Sequence, residues 1–258
     1  MKFSRFSQAA ILAGMIMFAP SAQAQTFEGS EFEAAVETYI RNHPEVIIDS
    51  INTYVEQQKA AERDAEDQRF LANAPEFTQD SGLPVIGNPE GAVTMYYVLD
   101  AACTYCRQMT PIIEQLIEAN PDLRIVQRWV PFLTPTSEYT ARLAFLVSER
   151  FPDKYPEFYS SVMKQTGQLT ADVVDNVLAG VVGDEQMVII RSDATDGADA
   201  MRVGSLVQRN LDAASHSGIN GTPFFYVEKA DTAGIMRGAS PIQIIQGAID
   251  RARAASGN

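Results

Sequence analysis

The chain is poor in the residues that build metal centres. Its 258 residues include two cysteines, two histidines and one tryptophan. His43 and His216 are far from each other and from both cysteines, which removes a closed four-ligand zinc site from consideration. Basic charge is also scarce. There are 20 Lys and Arg against 33 Asp and Glu, a net charge of −13. Such a surface disfavours nucleic acid and anionic lipid as partners. Beyond residue 24 no apolar run is long enough to cross a bilayer. No phosphate loop, dinucleotide fingerprint, zinc-protease motif or internal repeat is present, so no cofactor is implied.

What remains is concentrated. The two cysteines are Cys103 and Cys106, separated by Thr104 and Tyr105. That spacing allows a disulfide to form and break within one helical turn. With no third thiol to pair with either, it points to thiol–disulfide exchange. The two-thiol set leaves one alternative open, a copper(I) site at Cys103 and Cys106. A purely structural disulfide would close too short a loop to constrain much of the chain.

The N-terminus places this pair in an oxidising compartment. Lys2 and Arg5 precede an apolar stretch from about Ala9 to Ala19, followed by Pro20 and Ala22-Gln23-Ala24. This is the pattern of a cleaved signal peptide over residues 1–24. The remainder carries 18 basic against 33 acidic residues.

Residues 25 to 75 read as wholly helical. Ser30-Glu31-Phe32-Glu33 has the form of a capping box, and Phe32, Val36 and Ile40 follow at helical spacing. Pro44 suits the start of a second helix with Ile47, Ile51, Tyr54 and Val55 on one face. Positions 47, 51, 54, 58, 61 and 65 make a weak heptad, and the segment from Glu56 to Arg69 has little to bury. The apolar stripe requires cover, either from the same chain or from another subunit.

Residues 74–92, rich in Pro and Gly, read as the boundary to a domain over 76–258. That domain alternates strand and helix: a strand at 93–99, a helix from Cys103 to about Ala119, and a strand at 123–130. A helical block follows over about 134–217, then strands at 224–227 and 235–238 and a last helix after Ser240-Pro241. The expected fold class is α/β, a small mixed sheet with a helical insertion, preceded by the N-terminal helical segment.

Placing Cys103 at a helix N-terminus lowers its pKa, because free backbone N–H groups and the positive end of the dipole stabilise the thiolate. Cys106, one turn on, is shielded beneath it. Cys103 is therefore expected to attack clients and Cys106 to resolve the mixed disulfide. Just before the strand at 224 stands Gly221-Thr222-Pro223.

Asp100, the Cys-x-x-Cys, Pro131, Ser137, the helical insertion and GINGTP at 218–223 together resemble the DsbA-like oxidoreductases of the thioredoxin superfamily, over residues 84–255. The stretch from Phe32 to Gln58 is similar to the N-terminal region of the ScsC-like and Com1-like subgroup. The resemblance implies a thioredoxin fold in which a cis-proline loop at Thr222-Pro223 faces the cysteines and pairs with an extended client. It further implies a periplasmic homo-oligomer, a trimer more than a dimer, isomerising disulfides of unfolded or misoxidised exported proteins. A membrane redox partner would reset the pair. Thr222 and Tyr105 resemble isomerase-type positions, where DsbA itself has valine and histidine. Two other readings stand beside this one: a monomeric DsbA-like dithiol oxidase, and a copper(I)-binding or holdase protein of the envelope. One departure matters. Relatives carry a buried carboxylate six residues before the first cysteine, and this chain has Tyr97. Asp100 reads as a loop or cap residue.

Overall fold

A computed structural model describes residues 29–256. The expected signal peptide, 1–24, lies outside the described residues. The chain divides into two compact units between Gln58 and Lys59.

The first unit holds helix α1 (Gly29–Asn42) and the start of helix α2 (Pro44–Phe77). α1 already contains Ser30, so the Ser30–Glu33 pattern lies within its first turn and not ahead of it. His43 interrupts the helices, and its Nδ1 lies 3.1 Å from Glu45 Oε1. Pro44 then opens α2, where its missing N–H has no partner to lose. Within residues 29–58 no side chain is buried, and Phe32, Tyr39, Ile48, Ile51 and Tyr54 are each more than half exposed.

The second unit is built on a five-stranded sheet of order β1-β3-β2-β4-β5. Its strands are β1 (Val85–Gly87), β2 (Val93–Leu99), β3 (Leu123–Trp129), β4 (Phe224–Val227) and β5 (Ile235–Arg237). β2 and β3 are parallel and joined through helix α3 (Thr104–Ala119); the other pairings are antiparallel. β2 and β3 read as near-continuous apolar runs because both faces are covered. Strand alternation puts Tyr96, Phe224 and Tyr226 on one face, where Phe70 and Phe77 of α2 pack at ring-centroid distances of 4.8–6.2 Å. Met95, Tyr97, Gln127, Trp129 and Phe225 point to the other face, toward α3 and α5 (Tyr155–Met163).

Between β3 and β4 lie α4 (Pro135–Arg150), α5, α6 (Ala171–Val182), α7 (Asp184–Thr195) and α8 (Ala200–His216); α9 (Ile242–Ser256) closes the chain. Thr134 and Thr170 cap α4 and α6 through their hydroxyls, which accept from Ser137 N and Val173 N.

Two features differ from the sequence expectation at 74–92. α2 continues through Pro75 to Phe77, because burial of Phe70, Ala74 and Phe77 holds its last turns to the sheet. The stretch beyond it contains β1, three residues paired to β3 and too short to show an alternating pattern. Its Gly87 has φ +79°, and a Cβ there would sit 2.5 Å from the Leu123 carbonyl oxygen. Only glycine fits so close to the neighbouring strand.

Candidate active site

The site forms where β2 ends. Leu99 leads into Asp100, and the chain turns so that Cys103 becomes the N-cap of α3. Asp100 is buried and ties this turn together. Its Oδ1 accepts from Ala102 N at 2.7 Å and from Ser137 Oγ at 2.5 Å. Its Oδ2 accepts from Leu133 N at 3.0 Å, and its carbonyl accepts from Cys103 N at 3.1 Å. Arg107 braces the turn from the other side, donating to Ala101 O and Gly167 O, both at 2.9 Å.

The antiparallel pairing of β4 with β2 runs Val98↔Phe224 and Tyr97↔Phe225. This register carries Pro223 and Thr222 past the end of β2, directly to the cysteine turn. The Thr222–Pro223 peptide bond is cis. Cys103 Sγ lies 3.4 Å from the Thr222 carbonyl oxygen, to which the thiol donates, and 3.4 Å from Cys106 N, from which it accepts. All six residues expected at the site are thus brought together. Cys103 and Cys106 are free thiols, Thr104 and Tyr105 form the exposed first turn of α3, and Thr222 and Pro223 form the opposing wall.

Electrostatics divide the two sulfurs sharply. The Cys103 thiol is lowered to about 6. The Cys106 side-chain donor contributes most, burial opposes it, and Thr222 and the backbone N–H groups of Cys106 and Tyr105 assist. Cys106 is fully buried, and desolvation, followed by its donation to Cys103, drives its pKa far upward. One sulfur with a lowered pKa beside another with a raised pKa is an arrangement suited to thiol–disulfide exchange.

Tyr97 is fully buried under this pair. Its ring stacks on Phe225 at 4.7 Å, and its hydroxyl donates to the Cys106 carbonyl at 3.3 Å. Thr110 Oγ1 donates to the same carbonyl at 3.4 Å. Tyr159 of α5 lies against this group as well and was not visible in the sequence, since it stands 62 positions beyond Tyr97 and the helices and strand between them had to fold first. His216 sits in the last turn of α8 with Nδ1 3.1 Å from Glu76 Oε1, away from the sulfurs. Among the described residues no group of three or more His, Cys, Asp or Glu side chains is placed to hold a metal. No described helix is long and apolar enough to cross a membrane.

This sheet, with a dithiol at the N-terminus of the helix that follows its central strand, defines a thiol–disulfide oxidoreductase. Residues 93–250 match the DSBA-like thioredoxin domain, and the chain belongs to that family. Residues 29–61 match the copper resistance protein ScsC N-terminal domain. Among solved structures, the chain is similar to a thioredoxin-like oxidoreductase from Silicibacter pomeroyi at 30% identity and TM-score 0.60, covering 69% of this chain and 96% of that one. It is similar to BcfH of Salmonella enterica Typhimurium at 26% identity and TM-score 0.70, covering 87% and 95%. Proteus mirabilis ScsC in a transitional conformation shares the fold at 19% identity and TM-score 0.62, covering 87% and 96%. No curated protein matches the sequence.

Proposed function

We propose that the protein is a periplasmic disulfide isomerase and reductase acting on unfolded or misoxidised exported proteins. Cys103 is the attacking thiolate and Cys106 the resolving thiol. The observation that carries this is the position of Cys103 at the α3 N-cap, accepting from Cys106 N and facing Thr222. At neutral pH a thiol with a pKa of about 6 is mostly ionised and able to attack a client disulfide. Cys103 forms the mixed disulfide and the displaced client sulfur leaves as a thiolate. A second client thiol, or Cys106, then releases the enzyme.

Thr222, Pro223, Thr104 and Tyr105 frame the client. Tyr105 and Leu133 are more than half exposed, giving apolar surface beside the sulfur suited to unfolded segments. A membrane redox partner would keep the pair reduced. The exposed stripe of α1 and early α2, together with the ScsC N-terminal domain match, supports a homo-oligomer, with a trimer favoured. Several sites in one assembly raise the local concentration of thiolates around one client. The signal-peptide pattern and the likeness to a protein described as periplasmic, from Salmonella enterica serovar Typhimurium, support the compartment.

Refolding of scrambled ribonuclease by the reduced protein tests the reading. Recovery of ribonuclease activity is expected, and none would overturn it. A monomeric dithiol oxidase is the second reading, favoured by the stabilised Cys103 thiolate, because stabilising the reduced form makes the disulfide more oxidising. Monomeric mass with rapid oxidation of a reduced client would select it. Stoichiometric copper(I) capture at Cys103 and Cys106 without redox turnover would instead select the metal-binding or holdase reading.

A further inference from the structure

The turn that presents Cys103 is held at three backbone atoms. Asp100 holds two of them, Ala102 N through its carboxylate and Cys103 N through its own carbonyl. Arg107 holds the third: its Nε donates to the Ala101 carbonyl at 2.9 Å. Ala101 is 0% exposed, so water has no access to replace that donor. A buried carbonyl deprived of a charged donor is costly to leave unpaired, and the turn would rearrange to satisfy it.

The same guanidinium reaches away from the turn into the helical insertion. Its Nη1 donates to Gly167 O at 2.9 Å and to Gln165 O at 3.4 Å. Both carbonyls belong to the connection between α5 and α6, residues 164–170. Gly167 has φ +80°, a left-handed conformation that strains an L side chain. A Cβ there would meet nothing within 4 Å, so glycine is required by conformation and not by space. Lys164 moors the start of the connection to α3 as well, its Nζ lying 2.7 Å from Glu114 Oε1. All three acceptors of Arg107 are backbone carbonyls. A planar fork of donors can hold them at fixed spacing, and a single ammonium cannot.

We propose that Arg107 is a positioning residue that fixes the Cys103 sulfur against the α3 N-terminus and ties that setting to the α5–α6 connection. The inference rests on the assignment of Cys103 as the attacking thiol. Cys103 Sγ accepts from Cys106 N at 3.4 Å. That bond depends on the direction in which the turn delivers the sulfur, and it weakens steeply as its angle closes. Arg107 acts on it through the Ala101 carbonyl. The insertion thereby enters the chemistry, because Gln165 and Gly167 set where the guanidinium stands. The groups that bear on the sulfur directly are Cys106, Thr222 and the Tyr105 backbone.

The test reads the sulfur as well as the fold. Iodoacetamide labelling of the reduced full chain at pH 6, with the labelled cysteine assigned by mass spectrometry, follows the thiolate. Equilibration with a glutathione buffer follows the disulfide. Arg107→Met removes the fork, Arg107→Lys keeps the charge alone, and Gly167→Ala strains the far anchor without touching the cysteine turn. Arg107→Met is expected to slow Cys103 labelling about fivefold, as a rise of about one unit from a pKa of about 6 does at that pH. At a fixed glutathione ratio more of this variant stands as disulfide, because a less stable thiolate makes a weaker oxidant. Arg107→Lys recovers little of either change, since one ammonium cannot hold both ends. Gly167→Ala moves both readouts the same way by less, and adds nothing in an Arg107→Met background.

A merely structural Arg107 lowers the urea midpoint and leaves labelling and the glutathione equilibrium at their wild-type values, a result that overturns the proposal. Wild-type behaviour of Arg107→Lys overturns it too, because the charge without the fork would then suffice. A Gly167→Ala effect that is absent, or that adds in full to Arg107→Met, overturns the link from the α5–α6 connection to the sulfur. Should Arg107→Met fail to fold, Arg107→Lys and Gly167→Ala decide by the same criteria. Labelling of Cys106 ahead of Cys103 in the wild type would overturn the assignment of the attacking thiol itself, and it is read from the labelled peptide before any variant is compared.

Discussion

Thr222 and Cys103 meet across 119 positions of sequence, the Cys103 sulfur lying 3.4 Å from the Thr222 carbonyl oxygen. The contact follows from register. Pairing Val98 with Phe224 leaves the chain before β4 no course except past the end of β2, where α3 begins. One backbone geometry thus brings the Thr222–Pro223 loop to the Cys103 sulfur.

Thr222 also stabilises the Cys103 thiolate, after the larger contribution from Cys106. Thr222→Val keeps the shape and removes the hydroxyl. The Cys103 pKa is expected to rise from about 6, and its alkylation rate near neutral pH to fall. Thiolate ultraviolet absorbance against pH measures the shift. An unchanged titration would show that the hydroxyl makes no contribution.

The same site ties stability to pH. The Cys103 pKa is depressed in the folded protein, from 9.0 to about 6. Its contribution is therefore fully present above pH 9 and is lost as pH falls through 6. Linkage bounds it at about 4 kcal/mol, from roughly 1.4 kcal/mol per pKa unit. Cys106 has the opposite sign: its pKa is raised on folding, so it costs stability once the unfolded thiol ionises above pH 9. The reduced protein should gain stability from pH 6 to pH 9, and Cys103→Ser should flatten that slope. Urea unfolding at a series of pH values checks both.

Much of this site could be read in the chain, and for physical reasons. Cys103, Cys106 and Gly221-Thr222-Pro223 are local signals, and β2 and β3 carry long apolar runs because both sheet faces are covered. Asp100 reads correctly as a turn residue; its four bonds to Ala102, Ser137, Leu133 and Cys103 depend on where α4 returns. β1 was illegible because three residues carry no period. Helix α2 was legible to residue 75, and only its last two residues were not, because tertiary burial of Phe70 and Phe77, not propensity, carries the helix through Pro75. Tyr159 gave no signal, since nothing local distinguishes its hydroxyl from any other core tyrosine.

Asp100 should be a positioning residue with a stability cost. Asp100→Ala leaves Ala102 N, Leu133 N and Ser137 Oγ without their acceptor in a buried turn. A loss of about 2–4 kcal/mol is expected, in the range of broken buried networks. Ser137→Ala removes one of these bonds and should cost about 1 kcal/mol. Denaturant midpoints at unchanged slope measure both. Equal costs for the two variants would mean that the turn is held mainly by Arg107.

The cysteine roles are separable by trapping. Cys106→Ser leaves Cys103 to attack but removes the thiol that resolves, so mixed disulfides with reducible clients should accumulate on non-reducing gels. Cys103→Ser leaves a sulfur that is fully buried and held protonated, so it should trap nothing. The reverse pattern would exchange the two roles.

The N-terminal stripe gives the last prediction. Ile48, Ile51 and Tyr54 are each more than half exposed, and nothing within residues 29–58 is buried. If another copy covers these side chains, a charge placed among them cannot be desolvated without a partner. Ile51→Glu should then reduce the solution mass to that of a monomer. The second unit lies wholly outside the change, so the Cys103 alkylation rate should not move. Scrambled-ribonuclease refolding should fall with the mass if several thiolates must work around one client, since the effective concentration of sites is lost with assembly. Light scattering and the refolding assay on the same sample decide the matter. A monomer that isomerises at the wild-type rate would place the activity in a single catalytic domain and assign the helices another purpose.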